Sequence, residues 1–402
     1  MENFDALIIG GGASGLMCAI AAKRKKPQLR VAVLEKNDRV GKKLLATGNG
    51  RCNLTHTAVD SSHYVGSFKR QSQAVLDRFG TEKLLAYFRQ LGLLTACDSE
   101  GRFYPLCRQA SAVLDVLRFS CEAAGAAVFC SQSIRSVKHR DRFTVTTADR
   151  VFCADKLVVA AGSKAAPKLG GSGSAADILK NFGHRFVSFS PALCPLTVQS
   201  GVLKSLKGLR AQGKVTLLRG GKPVKAEVGE VQFNEKNLSG ICIFNLSLYA
   251  QRGDGIALDL LPDISERELN KLLLQNKKNF SAQTADNIFT GILQKRVAQA
   301  VLKAAGCTDF SRSCAALSAS ELQRAAQTAK ELRFSVTGNE GFERAQACLG
   351  GVYGGEIDEM TMRSKKQKNL WVCGEAVDLC GECGGYNLHF AFASGMTAGE
   401  NL

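Results

Sequence analysis

Gly10, Gly12 and Gly15, in the stretch IIGGGASGL, stand at G-x-G-x-x-G spacing. Glycine is the costliest residue to order, so such a cluster needs a physical reason. A short apolar run, Ala6–Ile9, precedes it and reads as a buried strand. The run Leu16–Ala22 behind it reads as a helix, so the glycines fall at the turn. In that setting Gly10 permits a tight turn and Gly12 lets a pyrophosphate approach the backbone. Gly15 then allows close packing of helix on strand. The helix N-terminus, with Ala13 and Ser14, adds N–H groups and a positive dipole end.

A second apolar run, Val31–Leu34, ends on Glu35, 20 residues after Gly15. An acid there accepts hydrogen bonds from the adenosine ribose hydroxyls, with Lys36 beside it. A strand–turn–helix without a ligand would not need this whole context. The two halves therefore predict a dinucleotide, NAD or FAD, and residues further along must decide between them.

The deciding segment lies near the C-terminus. The strand Asn369–Cys373 runs into Gly374, Glu375 and Asp378, which puts acids at the carboxyl end of a parallel strand. FAD has a ribityl chain whose hydroxyls need acceptors there, whereas NAD needs nothing equivalent. The turn Gly384–Asn387 opens the last helix and aims N–H groups at negative charge such as a reduced flavin develops. Capping of the last helix is the alternative role for Glu375 and Asp378. Between the halves lies Ala46–Leu54. Its Thr47, Gly48, Asn49, Gly50, Arg51, Cys52 and Asn53 make a turn dense in donors. Arg51 suits a phosphate or a flavin carbonyl.

Stepping outward from these residues, residues 1–190 have α/β texture. Thr81–Leu91 and Gln109–Ala124 read as helices. Ala126–Cys130, Ile134–His139, Phe143–Ala148 and Lys156–Gly162 read as strands. The texture then changes to short alternating strands, Pro195–Val198, Lys214–Leu218 and Val228–Phe233, with a hairpin signal at Arg219–Lys222. Helical sequence follows at Ser265–Gln275, where Ser265 and Glu268 form a capping box. More helix is predicted over Thr284–Ala304 and Ser318–Glu331. The expected organisation is a discontinuous cofactor domain, 1–190 and 335–402. A barrel-like insert occupies 191–262 and about 318–334, and a helical insert 263–317.

The quoted segments resemble the BaiN/YhiN-like flavoproteins, a group of NAD(P)/FAD-dependent or aminoacetone-oxidase-type enzymes. The matching stretches are IIGGGASGL, GKKLLATGNGRCNLT, GRFYP, KLGGSGSA, LSG, GGV, EIDEMTMRSK and CGEAVDLCGECGGYNLHFAFASG, spanning residues 8 to 395. TGNGRCN and GGYNL are the specific ones. The resemblance implies an α/β fold: a glutathione-reductase-type, Rossmann-like FAD domain interrupted by a small β-barrel and helical module. It also implies that FAD is lined by Gly10 to Gly15, Glu35, Lys43, Thr47 to Asn53, Ala161, Gly162, Gly374, Glu375 and Asp378. Gly385, Tyr386, Asn387 and Leu388 complete that set. One departure is Cys348, in ACLGGV, where the family reads V-T-x-G-G-V, so a thiol stands here in place of that hydroxyl.

Catalytic candidates are few. Cys380 and Cys383 form a C-x-x-C that would lie near the flavin, where a redox dithiol could pass electrons to a disulfide. Tyr386 and Asn387 could orient substrate or simply fix the turn. His56, His63 and His389 are possible acid–base groups without an identifiable partner. The segment Gly171–Ala176 has G-x-G-x-x-A spacing, but Lys168-Leu169 is no strand. NAD(P)H is therefore expected as a transient electron donor at the flavin face.

The chain has 402 residues, 45% hydrophobic and 22% charged, as in globular proteins. No apolar run approaches the ~20 residues of a membrane helix. No export signal is visible and the 15 cysteines are odd in number, so a cytoplasmic protein with reduced thiols is expected. The formal charge of +17 is mostly dispersed, without interleaved aromatics. The leading expectation is an FAD-dependent oxidoreductase acting on a small organic substrate. Reduction of a conjugated C=C in a steroid or bile-acid-like compound is the specific form the resemblance suggests. The charge motivates a flavin-dependent RNA-modifying or RNA-binding protein as the alternative. A redox-sensing flavoprotein is the third.

Overall fold

The computed structural model describes Met1–Leu402. It divides into two compact units, Met1–Ala192 with Gly341–Leu402, and Leu193–Glu340.

The first unit is built on a parallel sheet. Strand β1 (Glu2–Ile9) lies between β2 (Val31–Leu34) and the long strand Val151–Val159, and Ala127–Phe129 flanks β2. The far edge of Val151–Val159 is shared. Its first half pairs antiparallel with Phe143–Thr146, and its second half pairs parallel with Leu370–Val372. These strands read as continuous apolar runs because both faces are covered. Leu7, Ile8, Ala32, Val33, Leu157 and Val158 are fully buried. Ile9, Leu34, Val159 and Val372 end level with one another, so their following residues meet at one carboxyl edge.

Helix α1 (Ala13–Lys25) covers the sheet and packs against the terminal helix, Tyr386–Glu400. The approach is close because small residues face it. A Cβ on Gly395 would sit 2.4 Å from the Ser14 carbonyl oxygen, and one on Gly399 would sit 2.4 Å from that of Cys18.

The second unit is a closed six-stranded barrel. Around it run Leu196–Gln199, Asn237–Ser239, Lys222–Phe233, Arg210–Arg219, Gly255–Asp259 and Leu332–Asn339, which returns to the first. The expected hairpin is present. Arg219 pairs with Lys222 across Gly220 and Gly221, whose φ values of 56° and 78° give the type I′ turn. Helices Glu266–Asn279 and Ala319–Lys330 each begin with a complete capping box.

Three boundaries differ from expectation. The strand Leu332–Asn339 closes the barrel, so the boundary at 335 falls inside it. The helices of 263–317 have no core of their own. Leu269, Leu273 and Val301 share one apolar cluster with barrel residues Val215, Leu258 and Phe334. The helix expected over Thr284–Ala304 is confined to Lys295–Ala304, because Gly291 takes a left-handed φ of 81°. The helix Lys69–Arg78 was not anticipated. No helix is long and apolar enough to cross a membrane.

A Cβ at position 15 would lie 1.9 Å from the Gly10 carbonyl oxygen. Gly15→Ala should therefore cost at least about 3 kcal/mol in urea denaturation. Gly201→Ala, where a Cβ meets nothing within 4 Å, should change stability by no more than about 0.5 kcal/mol.

Candidate cofactor site

The site is assembled at the shared carboxyl edge of the parallel strands, where open α/β sheets take their ligands. Gly10 has φ 110°, and a Cβ there would lie 2.3 Å from the Ala160 carbonyl oxygen. Gly12 is different. Its φ of −86° and ψ of −168° are extended backbone open to any residue, and a Cβ would meet nothing within 4 Å. Neither conformation nor packing within the chain requires glycine at this position. The space it leaves lies at the N-terminus of α1, which has no side-chain cap and no acid in its first turn. That arrangement suits an anionic group such as a pyrophosphate. Ser14 is buried, while Ala13 is half-buried.

Glu35 braces this turn from below. One carboxylate oxygen accepts the Gly11 N–H at 2.8 Å. The other accepts the backbone and side-chain N–H groups of Asn37, both at 2.8 Å. Lys36 beside it is exposed.

Lys43 and Glu375, each expected to line the cofactor, meet one another. The ammonium lies 2.8 and 2.6 Å from the two carboxylate oxygens. Ser163 Oγ donates to the same carboxylate at 2.6 Å. Ser163 was missed in the sequence, although it directly follows Ala161 and Gly162. Gly162 has φ 69° and nothing within 4 Å of a Cβ. Cys348 is buried, and burial raises its thiol pKa, opposed by a hydrogen bond from Ser163. Gly374, with φ 65°, brings the last strand against α1. A Cβ there would sit 2.5 Å from Ser14 Oγ.

The segment Thr47–Asn53 is contorted. Gly48, Asn49, Gly50 and Cys52 all have left-handed φ, between 54° and 79°. Thr47 Oγ1 donates to the Leu44 carbonyl at 2.7 Å. Arg51 is exposed, donates to the Gly48 carbonyl at 3.1 Å, and lies 5.2 Å from the Tyr104 ring centre. Its guanidinium is thus folded back on its own loop. Cys52 is fully buried, and burial pushes its thiol up to about 12, so it is a neutral packing residue. Asn53 Oδ1 is buried without a hydrogen-bond partner, an acceptor facing the turn at Gly385.

Some predicted ligand contacts are taken up by the chain itself. Asp378 accepts the backbone N–H groups of Ser67 and Gly350, each at 3.0 Å, and is buried. It staples two loops. Asn387 makes two hydrogen bonds to the Gly381 backbone, 2.9 Å from N–H and 2.8 Å to C=O, so it fixes the turn. Leu388 packs against the core. Cys380 is 1% exposed, and burial holds its thiol well above the usual range. Of the C-x-x-C pair, Cys383 is the more accessible thiol.

Tyr386 opens the terminal helix with its ring between two imidazoles. His63 lies 4.3 Å away at an interplanar angle of 15°, and His56 lies 5.2 Å away at 26°. His63 Nδ1 lies 3.1 Å from a Glu382 carboxylate oxygen. The partner absent from the sequence reading is therefore Glu382, 319 residues away. His389 is a core residue. Its Nδ1 lies 2.7 Å from Thr55 Oγ1, and burial pulls its pKa down to about 4.

A Rossmann-type sheet with this glycine turn, its acid and a returning C-terminal strand is the fold of the FAD-binding oxidoreductases, and the chain is of that class. It belongs to the HI0933-like protein Rossmann domain family, whose model matches residues 4–401. It is 34% identical over 405 residues to the 3-dehydro-bile acid delta(4,6)-reductase of Clostridium scindens, covering 98% of this chain and 97% of that one. It is 28% identical over 409 residues to the ribosomal RNA dihydrouridine synthase of Escherichia coli, covering 100% and 98%. Among solved structures, the 3-ketosteroid delta1-dehydrogenase of Sterolibacterium denitrificans matches with a TM-score of 0.51 at 12% identity, over 99% of both chains. That likeness establishes the fold. The family bears out the resemblance read from the motifs.

Two predictions follow from this geometry. Gly12→Ala should leave the apoprotein's urea midpoint unchanged and weaken FAD binding at least about tenfold, since the new methyl meets only the ligand's space. His389 should make stability depend on pH. An unfolded histidine titrates near 6.5. The folded protein therefore binds fewer protons than the unfolded chain between pH 6.5 and 4. The stabilisation is complete above 6.5 and is lost as pH falls towards 4, by up to about 3 kcal/mol. Urea titrations across that window should show the slope in the parent and a shallower one in His389→Gln.

Proposed function

We propose that this chain binds FAD in the cradle described above and uses it to saturate a C=C bond conjugated to a carbonyl, with NAD(P)H as electron donor. The observation that carries the reading is the opening over Gly12 at the uncapped start of α1, in a chain whose relatives include a bile-acid reductase. The residues fit the cofactor. The α1 N-terminus and Gly12 would take the pyrophosphate, and Glu35 the adenosine ribose. Glu375, held by Lys43 and Ser163, would take the ribityl hydroxyls. Asn53 Oδ1 would accept an N–H, and the Gly384–Gly385 turn would close over the ring. Bound flavin supplies a two-electron carrier able to give or take a hydride. The chain supplies orientation, a dry pocket and fixed dipoles.

The proposed substrate is a small steroid-like enone. A 3-oxo steroid diene and uracil share one feature, a C=C next to a carbonyl, so RNA is the second reading. Charge distribution favours the small molecule. Residues 193–340 carry 20 Lys and Arg against 13 Asp and Glu, and the remainder carries 33 against 23. The excess is therefore spread through both units and not gathered on the insert. Several cations of the insert are neutralised locally, as in Lys207–Glu235, Arg210–Glu230, Arg219–Asp254 and Lys330–Asp259. An RNA-tracking groove needs a continuous basic stripe. For the donor, the Gly171–Ala176 run follows a 3-10 turn at Pro167–Leu169 and not a strand. This supports transient nicotinamide binding at the flavin face over a second Rossmann site.

The test is anaerobic stopped-flow on the purified holoprotein. NADH or NADPH should bleach the flavin bands, and a 3-oxo-4-ene steroid should restore them while losing its enone absorbance. Restoration only by uridine-containing ribosomal RNA would favour the second reading. Restoration by neither would overturn the enone reading.

A further inference from the structure

We propose that Tyr386 delivers the proton in the reduction, and that His56 and His63 are positioning residues that hold its ring for that task. The inference rests on the enone reading above and adds the acid that reading lacks. Saturating a C=C requires a hydride at one carbon and a proton at the other. Bound flavin, reduced by a nicotinamide, would supply the hydride. The proton must come from the chain or from water.

The other groups at this edge are committed. Lys43 and Ser163 both donate to Glu375. Asp378 is held by two backbone N–H groups. Arg51 lies over Tyr104. Cys52 and Cys380 are sealed in the core, as is His389. Tyr64 is fully buried and donates its hydroxyl to the Tyr386 carbonyl at 2.9 Å. Tyr386 is only 5% exposed, yet its hydroxyl is not among the sealed, unpartnered polar atoms of the chain and so retains an opening to the outside.

Its placement is over-determined. The ring is sandwiched by His63 at 4.3 Å and His56 at 5.2 Å. Both imidazoles are themselves pinned. His56 Nδ1 accepts the Ala58 N–H at 3.2 Å, and its Nε2 lies 2.9 Å from the Glu100 carbonyl oxygen, which fixes the plane of the ring. His63 is held by Glu382. Glycines at 381 and 384 leave room for the phenol, since their Cβ atoms would fall 2.7 Å from Tyr386 Cβ and 2.9 Å from Tyr386 Cε2. The orphaned Asn53 oxygen lies against Gly385, the residue directly before Tyr386, which places the ring beside the acceptor assigned to the cofactor. Burial, with Glu382 and Asp60 nearby, pushes the phenol up to about 12, which keeps its proton in place at neutral pH.

In the step proposed, the substrate π bond breaks, the hydride forms one C–H bond, and the Tyr386 O–H bond breaks as its proton forms the other. The phenolate then regains a proton from solvent. Photoreduced holoenzyme mixed anaerobically with testosterone isolates this step without a nicotinamide. Tyr386→Phe should slow flavin reoxidation about 100-fold, the lower end of general-acid contributions, while FAD content and near-ultraviolet circular dichroism match the parent. His63→Ala should slow it about tenfold, and His63→Phe, which restores a flat ring, should recover most of that. Parent-like reoxidation by Tyr386→Phe would overturn the donor assignment. His63→Phe as slow as His63→Ala would overturn the positioning role. A parent enzyme that testosterone fails to reoxidise would count against the enone reading itself.

Discussion

The structure depends on how closely three backbones approach at the carboxyl edge of the sheet. Gly10 lies against the Ala160 carbonyl, Gly15 against that of Gly10, and Gly395 against that of Ser14. Any side chain at these points would collide with a main-chain atom. A glycine inside a helix costs about 1 kcal/mol relative to alanine, and Gly395 and Gly399 both sit inside the terminal helix. The close helix contact they permit offsets that cost. It brings Ser14, Gly374 and Ser394 together, with Ser394 Oγ accepting the Gly374 N–H at 3.0 Å. The first and last segments of the chain thus meet at one edge, and Gly12 is left facing open space.

What the sequence could reveal follows from the range of the forces involved. The glycine turn, Glu35, the two capping boxes and the type I′ hairpin are local, and each was readable within a few residues. The interior of the cradle is not local. Lys43 and Glu375 are 332 residues apart and Ser163 and Glu375 are 212 apart, so their union exists only in the fold. Both charged residues were placed at the cofactor, but their neutralisation of each other was not foreseen. Asp378 and Asn387 hold local backbone as well: Asp378 accepts the N–H groups of Ser67 and Gly350, and Asn387 bonds the Gly381 backbone, contacts that no spacing in the sequence announces. The barrel boundary was missed because Leu332–Asn339 closes a ring by pairing with Leu196–Gln199, a strand more than 100 residues earlier.

The two aspects of the site then separate cleanly. The cradle for the nucleotide end is made of backbone and empty volume, and the sequence signature for it is glycine spacing. The end to which we assign the chemistry is a stack of rings from three segments, with His56, His63 and Tyr386 brought together by tertiary packing. No spacing rule marks such a stack. The relatives of this chain are named for a bile acid and for ribosomal RNA, two substrates that one fold can serve.

The central claim is that the space over Gly12 and the orphaned Asn53 oxygen belong to FAD. The most direct measurement is the visible absorbance spectrum of the purified full-length chain, before and after addition of FAD and gel filtration. The account predicts flavin bands that co-elute with the protein at one FAD per chain. A colourless protein that retains no FAD would contradict it.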